Sequence, residues 1–342
     1  MSIRERITNV DLNNGRVNTD YRAALHDKLS AIKPDASSIK TLIAQDFTRP
    51  LDARTTELLH ELRLQLLKLD STRSYIALSP IGPFGIDALL TKTSSLKVAH
   101  VTGRSADVVA DPTIQLAVEI YRQRLTGEKN DIALGTSHRC VRLQRYKDPS
   151  FTTTFEMFAT IDSTVGQDKF YEEKRIACLI QFYSTFFENI LPDADFKVSI
   201  GNIKIAEKFI HDIGDSTIEE RFKKLQERLP DKFNHELSPE NLYDAGTDSL
   251  SSDLQIGNEI RSMKRVFETL PQKLQSASSF PINRILGMGH YNGPVFMIHV
   301  NEVTMVDGGS VNWISTLTSN NKERAVVSGF GIELFAKLLR KE

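Results

Sequence analysis

The sequence predicts an α+β fold: an antiparallel sheet flanked by helices and interrupted by a helical insertion. Three observations predict it. Two runs with a period of two, IALGTSHRCVRLQRY (132–146) and TTTFEMFATID (152–162), are joined by the short loop KDPSF (147–151), the order of an antiparallel pair. A second strand block follows much later, GPVFMIHVNEVTMV (293–306), read as a long strand or hairpin, and then RAVVSGFG (324–331). Between the two blocks lie segments at helical spacing. The clearest runs from Phe170 to Leu191, where Ile176, Ile180, Tyr183, Phe187 and Ile190 form one face and Pro192 ends it.

The remaining elements follow in order. The first fifty residues are mixed and polar, with a short amphipathic helix over Tyr21 to Ile32 closed by Pro34. Asp52 is placed to cap a stronger helix in which Leu59, Leu62, Leu66 and Leu69 recur at helical spacing. YIALSP (75–80) reads as a short strand stopped by Pro80, and Ile86 to Leu90 as a helical turn. KVAHVTG (97–103) and DVVADPT (107–113) read as a strand pair, and a helix runs from Thr113 to Leu125. After the long helix, FKVSI (196–200) is a strand and IKIAEKFIHDI (203–213) a helix closed by Gly214. Charged helical pieces then surround the polar stretch SPENLYDAGTDSLSSD (238–253), an insertion. The last strand leads into GIELFAKLLRKE, a helix with basic residues near its C-terminus, where they complement its dipole. The chain therefore divides into an N-terminal extension (1–50), a core in two parts (51–212 and 276–342) and a helical insertion (213–275).

A chain of 342 residues with 40 % apolar and 25 % charged residues can bury a full core. Its net charge of −1 gives no long-range field to attract nucleic acid. Cys140 and Cys178 are the only cysteines and are expected to be reduced and buried, as in a cytosolic protein. MSIRERITNVDLNN lacks the apolar stretch of a signal peptide, and IACLIQFYSTFFENIL (176–191) is too short and too polar at Glu188 to span a membrane.

Several stretches are candidates for chemistry. LGMGHYNGPVF (286–296) has GxGxxxG spacing and runs into a strand, which favours a glycine-rich turn over a phosphate loop. His290 and His299 have no third ligand at a useful spacing, so no metal is expected. Ser310 in GGSVN is not a nucleophile elbow. Arg139, Arg142 and Arg145 lie on one strand, with Arg142 pointing away from the other two. They make either a solvated edge or an anion-binding face, because a guanidinium fork suits phosphate and carboxylate. Asp111, just ahead of a helix, is either its cap or an acid facing a ligand.

In their order these pieces resemble the catalytic core of class II aminoacyl-tRNA synthetases of the histidyl lineage, over about Arg54 to Leu339. The helix from Arg54 followed by YIALSP resembles the first class II motif. DVVADPT resembles the amino-acid-pocket segment, with Asp111 and Thr113 matching its acid and threonine. LGTSHR resembles the second motif, with Arg139 where that family places its α-phosphate arginine. FKVSIGNIKI resembles the family's structural strand and turn. LGMGHYNGPVF resembles the histidine-specific loop, usually Arg-Gly-Leu-Asp-Tyr-Tyr-(Thr or Asn)-Gly, and keeps Gly287, Tyr291 and Gly293. VDGGSVN resembles the Gly-Gly-Arg-Tyr-Asp stretch, and VVSGFGIELFAKLL the third motif.

The departures bear on activity. Leu286 stands for the loop arginine, Gly289 for its aspartate and His290 for its first tyrosine. Leu334 stands for the arginine that holds the ATP γ-phosphate, and Val141 for the acid of the second motif. A substrate-facing glutamine is replaced by Met157 or Phe158, depending on register. The slipped register puts Asp162, and the unslipped one Ile161, at the imidazole-binding acid.

The resemblance therefore implies a synthetase-like protein without catalytic residues and without an anticodon-binding domain. Asp111, Thr113, Arg139 and Tyr291 would line a vestigial or retained amino-acid or nucleotide pocket, with no metal and no certain cofactor. The relative of this shape is the regulatory subunit of ATP phosphoribosyltransferase. That likeness implies a cytoplasmic homodimer with a catalytic phosphoribosyltransferase as partner and an effector such as histidine. It implies neither membrane nor tRNA. One alternative is a divergent ligase that adenylates a small carboxylate with ATP and Mg²⁺, using Arg139, Asp111 and either Lys322 or Arg324. The other is a tRNA-sensing synthetase-like module.

Overall fold

The computed structural model describes residues 35–44, 49–91, 98–101, 106–143, 152–166, 168–210 and 255–340, with scattered positions between 220 and 242. The expected helix over Tyr21 to Ile32, the loop KDPSF, Gly214 and nearly all of the polar stretch 238–253 lie outside the described residues.

The chain opens with α1 (Ala36–Leu42), α2 (Ala53–Leu69), β1 (Ser74–Tyr75), β2 (Ile81–Pro83) and α3 (Ile86–Thr91). Next come β3 (His100–Val101), β4 (Ala106–Val108), α4 (Pro112–Leu125), β5 (Ile132–Val141), β6 (Thr154–Val165) and α5 (Tyr171–Ile190). Then follow β7 (Phe196–Asn202), α6 (Ile203–Phe209), α7 (Gly257–Thr269), α8 (Gln272–Ser276) and β8 (Ser278–Ser279). The chain ends in β9 (Pro294–Val300), β10 (Val303–Val311), α9 (Trp313–Thr318), β11 (Glu323–Phe330) and α10 (Ile332–Leu339).

The expected α+β architecture is present. Eight strands form one sheet in the order β1-β5-β6-β11-β10-β9-β7-β8. Its six inner strands are antiparallel, and the two-residue strands β1 and β8 add in parallel at the edges. β2, β4 and β3 make a separate small sheet. Both long sequence blocks are hairpins: β5 pairs with β6, and β9 with β10.

Local chemistry explains the helices. Asp52 accepts the Thr55 amide at 3.0 Å and starts α2, whose Leu59, Leu62 and Leu66 are buried. In α5 Ile176, Ile180, Tyr183 and Phe187 of the predicted face are buried and Ile190 is half-buried, and the aromatic members join a ring cluster with Phe330 and Phe335. Cys178 is exposed, contrary to expectation, and only Cys140 is buried. Cys178 lies two residues from both Ile176 and Ile180, about 200° around the helix from each, so burying them turns it outward. The YIALSP strand shrinks to Ser74–Tyr75. Ile76 still donates to the Gly135 carbonyl at 2.9 Å, but the Pro80 carbonyl then accepts from Val109, which carries the chain into the small sheet.

The sheet is covered on both faces. Phe158 of β6 packs against Phe182 and Tyr183 of α5, and the Tyr183 hydroxyl bonds Ser328. On that side α7 also packs against α5, where Arg265 pairs with Glu173 at 2.6 Å. On the opposite side α4 lies against β5 and β6. Among the described residues, no helix is long and apolar enough to cross a membrane.

Candidate ligand-binding cavity

The register of β5 and β6 determines which side chains face the cavity side of the sheet. Arg139 stands opposite Glu156, His138 opposite Met157 and Ser137 opposite Phe158. Paired residues point to one side and chain neighbours to opposite sides. Phe158 lies under α5, so Arg139 also points to that helix-covered side. Met157 points to the other side, into a cavity of about 370 Å³. Parity then excludes Asp162 from the cavity and places it on the helix side, between Arg73 and Arg175. Met157, not Phe158, is the cavity-facing residue, and the apolar Ile161 has its parity.

Arg139 is the expected site residue that the cavity does not contain. Its Nη1 pairs with Glu333 Oε2 at 3.0 Å. That buried carboxylate also accepts the Glu156 amide at 3.0 Å and Lys337 Nζ at 2.7 Å. Arg139 thus fastens the start of α10 to the sheet. The guanidinium in the cavity is that of Arg142, just past β5. The alternation that separates Arg142 from Arg139 carries this signal, but it becomes decisive only once Met157 is known to face the cavity. Arg145 lies outside the described residues.

Asp111, Thr113 and Tyr291 are brought together in the cavity wall. Asp111 is both cap and wall. One carboxylate oxygen accepts the Thr113 amide at 3.0 Å and its hydroxyl at 2.6 Å, and the other lies 3.5 Å from Arg142 Nη2. Arg142 also donates Nε to the Ala110 carbonyl at 3.0 Å and lies 5.1 Å from the centre of the Phe155 ring.

The glycine-rich turn supplies the opposite wall. Gly287 and Gly289 have φ of +90° and +82°, conformations that favour glycine. A Cβ on Gly287 would collide with the Tyr291 ring. His290 contacts Tyr291 and Trp313 edge-on, with centroids 4.6 and 4.8 Å apart. Burial lowers the pKa of His290 and, with Asp307, raises that of Tyr291 well above its ordinary value, so both are neutral near pH 7. His299 is placed elsewhere, between Ser199 and Thr304. Gly287→Ala is expected to cost about 2–4 kcal/mol in urea unfolding, from the left-handed backbone and the displaced ring. An unchanged midpoint would mean that the loop readily takes another course.

Two further cavity acids carry no signal of their own in the sequence. Asp307 of β10 pairs with the buried Arg284 at 2.6 Å, and Arg284 also donates to the Leu286 carbonyl at 3.1 Å. Asp87 of α3 is 6 % exposed. Burial, then the nearby Asp111 and Asp107 carboxylates, raise its pKa from 3.8 to about 7.

A second cavity, of about 240 Å³, shares Arg142, Asp307 and Gly329 with the first, and Leu334 and Lys337 help line it. Lys322 and Arg324, the candidate substitute cations, line neither cavity. Arg324 pairs with Glu172 at 3.2 Å. It lies five residues along β11 from Gly329, roughly 17 Å away.

The sheet, its flanking helices and a cavity between the glycine-rich turn and the head of α4 define the catalytic-core fold of a class II synthetase of the histidyl type. The sequence matches no protein-family model and no curated protein. The crystal structure of an ATP phosphoribosyltransferase regulatory subunit/histidyl-tRNA synthetase from Bacillus halodurans C is similar, with a TM-score of 0.67 and 14 % identity over 85 % of this chain and 81 % of that one. A histidyl-tRNA synthetase from Nostoc sp. PCC 7120 gives a TM-score of 0.66 at 14 % identity, over 85 % and 74 % of the two chains. A histidine–tRNA ligase subunit from Alicyclobacillus acidocaldarius gives 0.61 at 11 % identity, over 86 % and 96 %. At these identities the likeness is one of fold.

Proposed function

We propose that this protein is a synthetase-like binding subunit that does not activate amino acids. The observation that carries the reading is the wall of the second cavity, where an apolar Leu334 stands in place of a phosphate-gripping arginine. Leu286 makes the same exchange in the glycine-rich turn. Adenylation needs fixed positive charge against the triphosphate as the carboxylate attacks, and each lost donor of this kind costs on the order of 10²–10³ in rate. Arg142, the guanidinium between the cavities, is already engaged by Asp111 and the Ala110 carbonyl.

The similar structure named as an ATP phosphoribosyltransferase regulatory subunit supports the finer reading. On that reading the protein is a cytoplasmic homodimer, its partner is a catalytic phosphoribosyltransferase, and a small-molecule effector occupies the main cavity. Regulation of this kind requires the effector to bind two states of the complex with different affinity. The ligase alternative is weakened, because Lys322 and Arg324 line neither cavity and Lys337, which lines the second, is already paired with Glu333 at 2.7 Å.

ATP–pyrophosphate exchange with the twenty amino acids and Mg²⁺ is expected to stay at background. Exchange at the rate of an ordinary synthetase with any of them would overturn the proposal.

A further inference from the structure

We propose that the main cavity takes a small organic amine that carries no carboxylate, with its ammonium group against Asp87. This rests on the proposed function only in treating the cavity as a ligand site.

Asp87 is the unmatched group. Its carboxyl is 6 % exposed and faces the cavity. Its carboxylate accepts from its own backbone N–H, and among the described residues no other group pairs with it. A buried carboxyl without a partner pays for its lost hydration, and an entering cation would supply that partner.

The other charges in the cavity are already matched. Asp111 is matched by Arg142, and Asp307 by Arg284. Arg142 is further tied to the Ala110 carbonyl and the Phe155 ring, and Arg284 to the Leu286 carbonyl. Asp107, behind Asp87, is held by His100 at 2.6 Å and by the Gly85 amide at 2.7 Å. Among the described residues one acid is therefore left over, and no free cation. His290 and Tyr291 are neutral and add no positive charge.

This balance discriminates between ligands. An α-amino acid would bring a carboxylate into a cavity with three carboxylates in its wall, where Met157 stands in place of the family's substrate-facing glutamine. That group would lose its hydration and, among the described residues, meet no guanidinium that is not already engaged. The amine made by removing the carboxylate keeps the attraction to Asp87 and avoids that cost. Val98, Ile114 and Met157 line the cavity and offer apolar contact to the rest of the molecule. A volume of about 370 Å³ suits a ligand of this size.

The test is calorimetric titration of the intact chain at pH 8 with matched pairs: histamine and histidine, tyramine and tyrosine, cadaverine and lysine. At least one amine is expected to bind about tenfold or more tightly than its parent amino acid. Asp87→Asn, nearly isosteric, is expected to weaken that amine by about tenfold or more. The pairwise comparison uses the wild-type chain, so it holds even if the variant does not fold. Amino acids that bind as well as their amines, an unchanged affinity in Asp87→Asn, or no binding of any amine would each overturn the proposal. Tight histidine binding with background pyrophosphate exchange would sink the amine and leave the binding-subunit reading standing.

Discussion

Asp162→Asn is expected to destabilise the fold by about 3–5 kcal/mol, the usual cost of removing one member of a buried ion pair. Asp162 is held by Arg73 at 3.1 Å and by Arg175 at 2.9 Å. The Arg73 side chain is 2 % exposed, and its Nη1 also donates to the Leu134 and Ile161 carbonyls. Asparagine keeps the shape and removes the charge. Arg73 then retains only Asp70, at 3.3 Å and partly exposed, as a carboxylate partner. Arg175→Met should cost much less, about 1 kcal/mol, because Arg175 is partly solvated and Asp162 keeps Arg73. Urea unfolding of the two variants tests the asymmetry. Equal, small losses would show that the cluster is solvated. The pair also tests the site assignment: were Asp162 an imidazole-binding acid, Asp162→Asn would change ligand affinity with little loss of stability.

The parts of the fold legible in the sequence are those set by long periodic patterns. The two hairpins, α2, α4 and α5 all have apolar spacing that runs for ten residues or more. Pieces set by a few contacts are not legible. β1 is two residues of parallel pairing, and α9, whose start Asn312 makes no side-chain capping bond, is held by the burial of Trp313 and Ile314. Arg139 falls outside the cavity for a geometric reason. A motif match fixes position along the chain, whereas the pleat decides the face, and Arg139 shares its parity with Phe158 on the helix side. Asp87, Asp307 and Arg284 leave no local signal, because their meaning comes from neighbours far along the chain. Gly287 is legible because a left-handed turn needs glycine wherever it occurs, whereas Tyr291 is implied only by the resemblance.

Asp87→Asn is expected to stabilise the ligand-free protein above pH 7 and to leave it unchanged near pH 3. The native pKa of Asp87, about 7, lies above its ordinary 3.8. Between those values the native state holds a proton that the unfolded chain has released, so stability from this group falls as pH rises through the window. A rise from 3.8 to about 7 corresponds to roughly 4 kcal/mol, and relaxation around the carboxylate brings the expected gain to about 2–4 kcal/mol. Among the described residues the charged groups near Asp87 are Asp107 of β4, Asp111 at the head of α4, Arg142 after β5 and Asp307 of β10, while burial lowers the pKa of His290 and keeps it neutral at pH 7 and above. Melting temperatures of both proteins should coincide at the acid end, separate from about pH 4 upward and reach a constant difference above pH 8. Parallel curves would mean that Asp87 is ionised and solvated, and the unpaired acid that invites an ammonium group would be gone with it. If Asp87 does titrate near neutrality, a bound amine should reverse the order of the two proteins at pH 8. It would stabilise the wild type by pairing with the carboxylate, and Asp87→Asn much less.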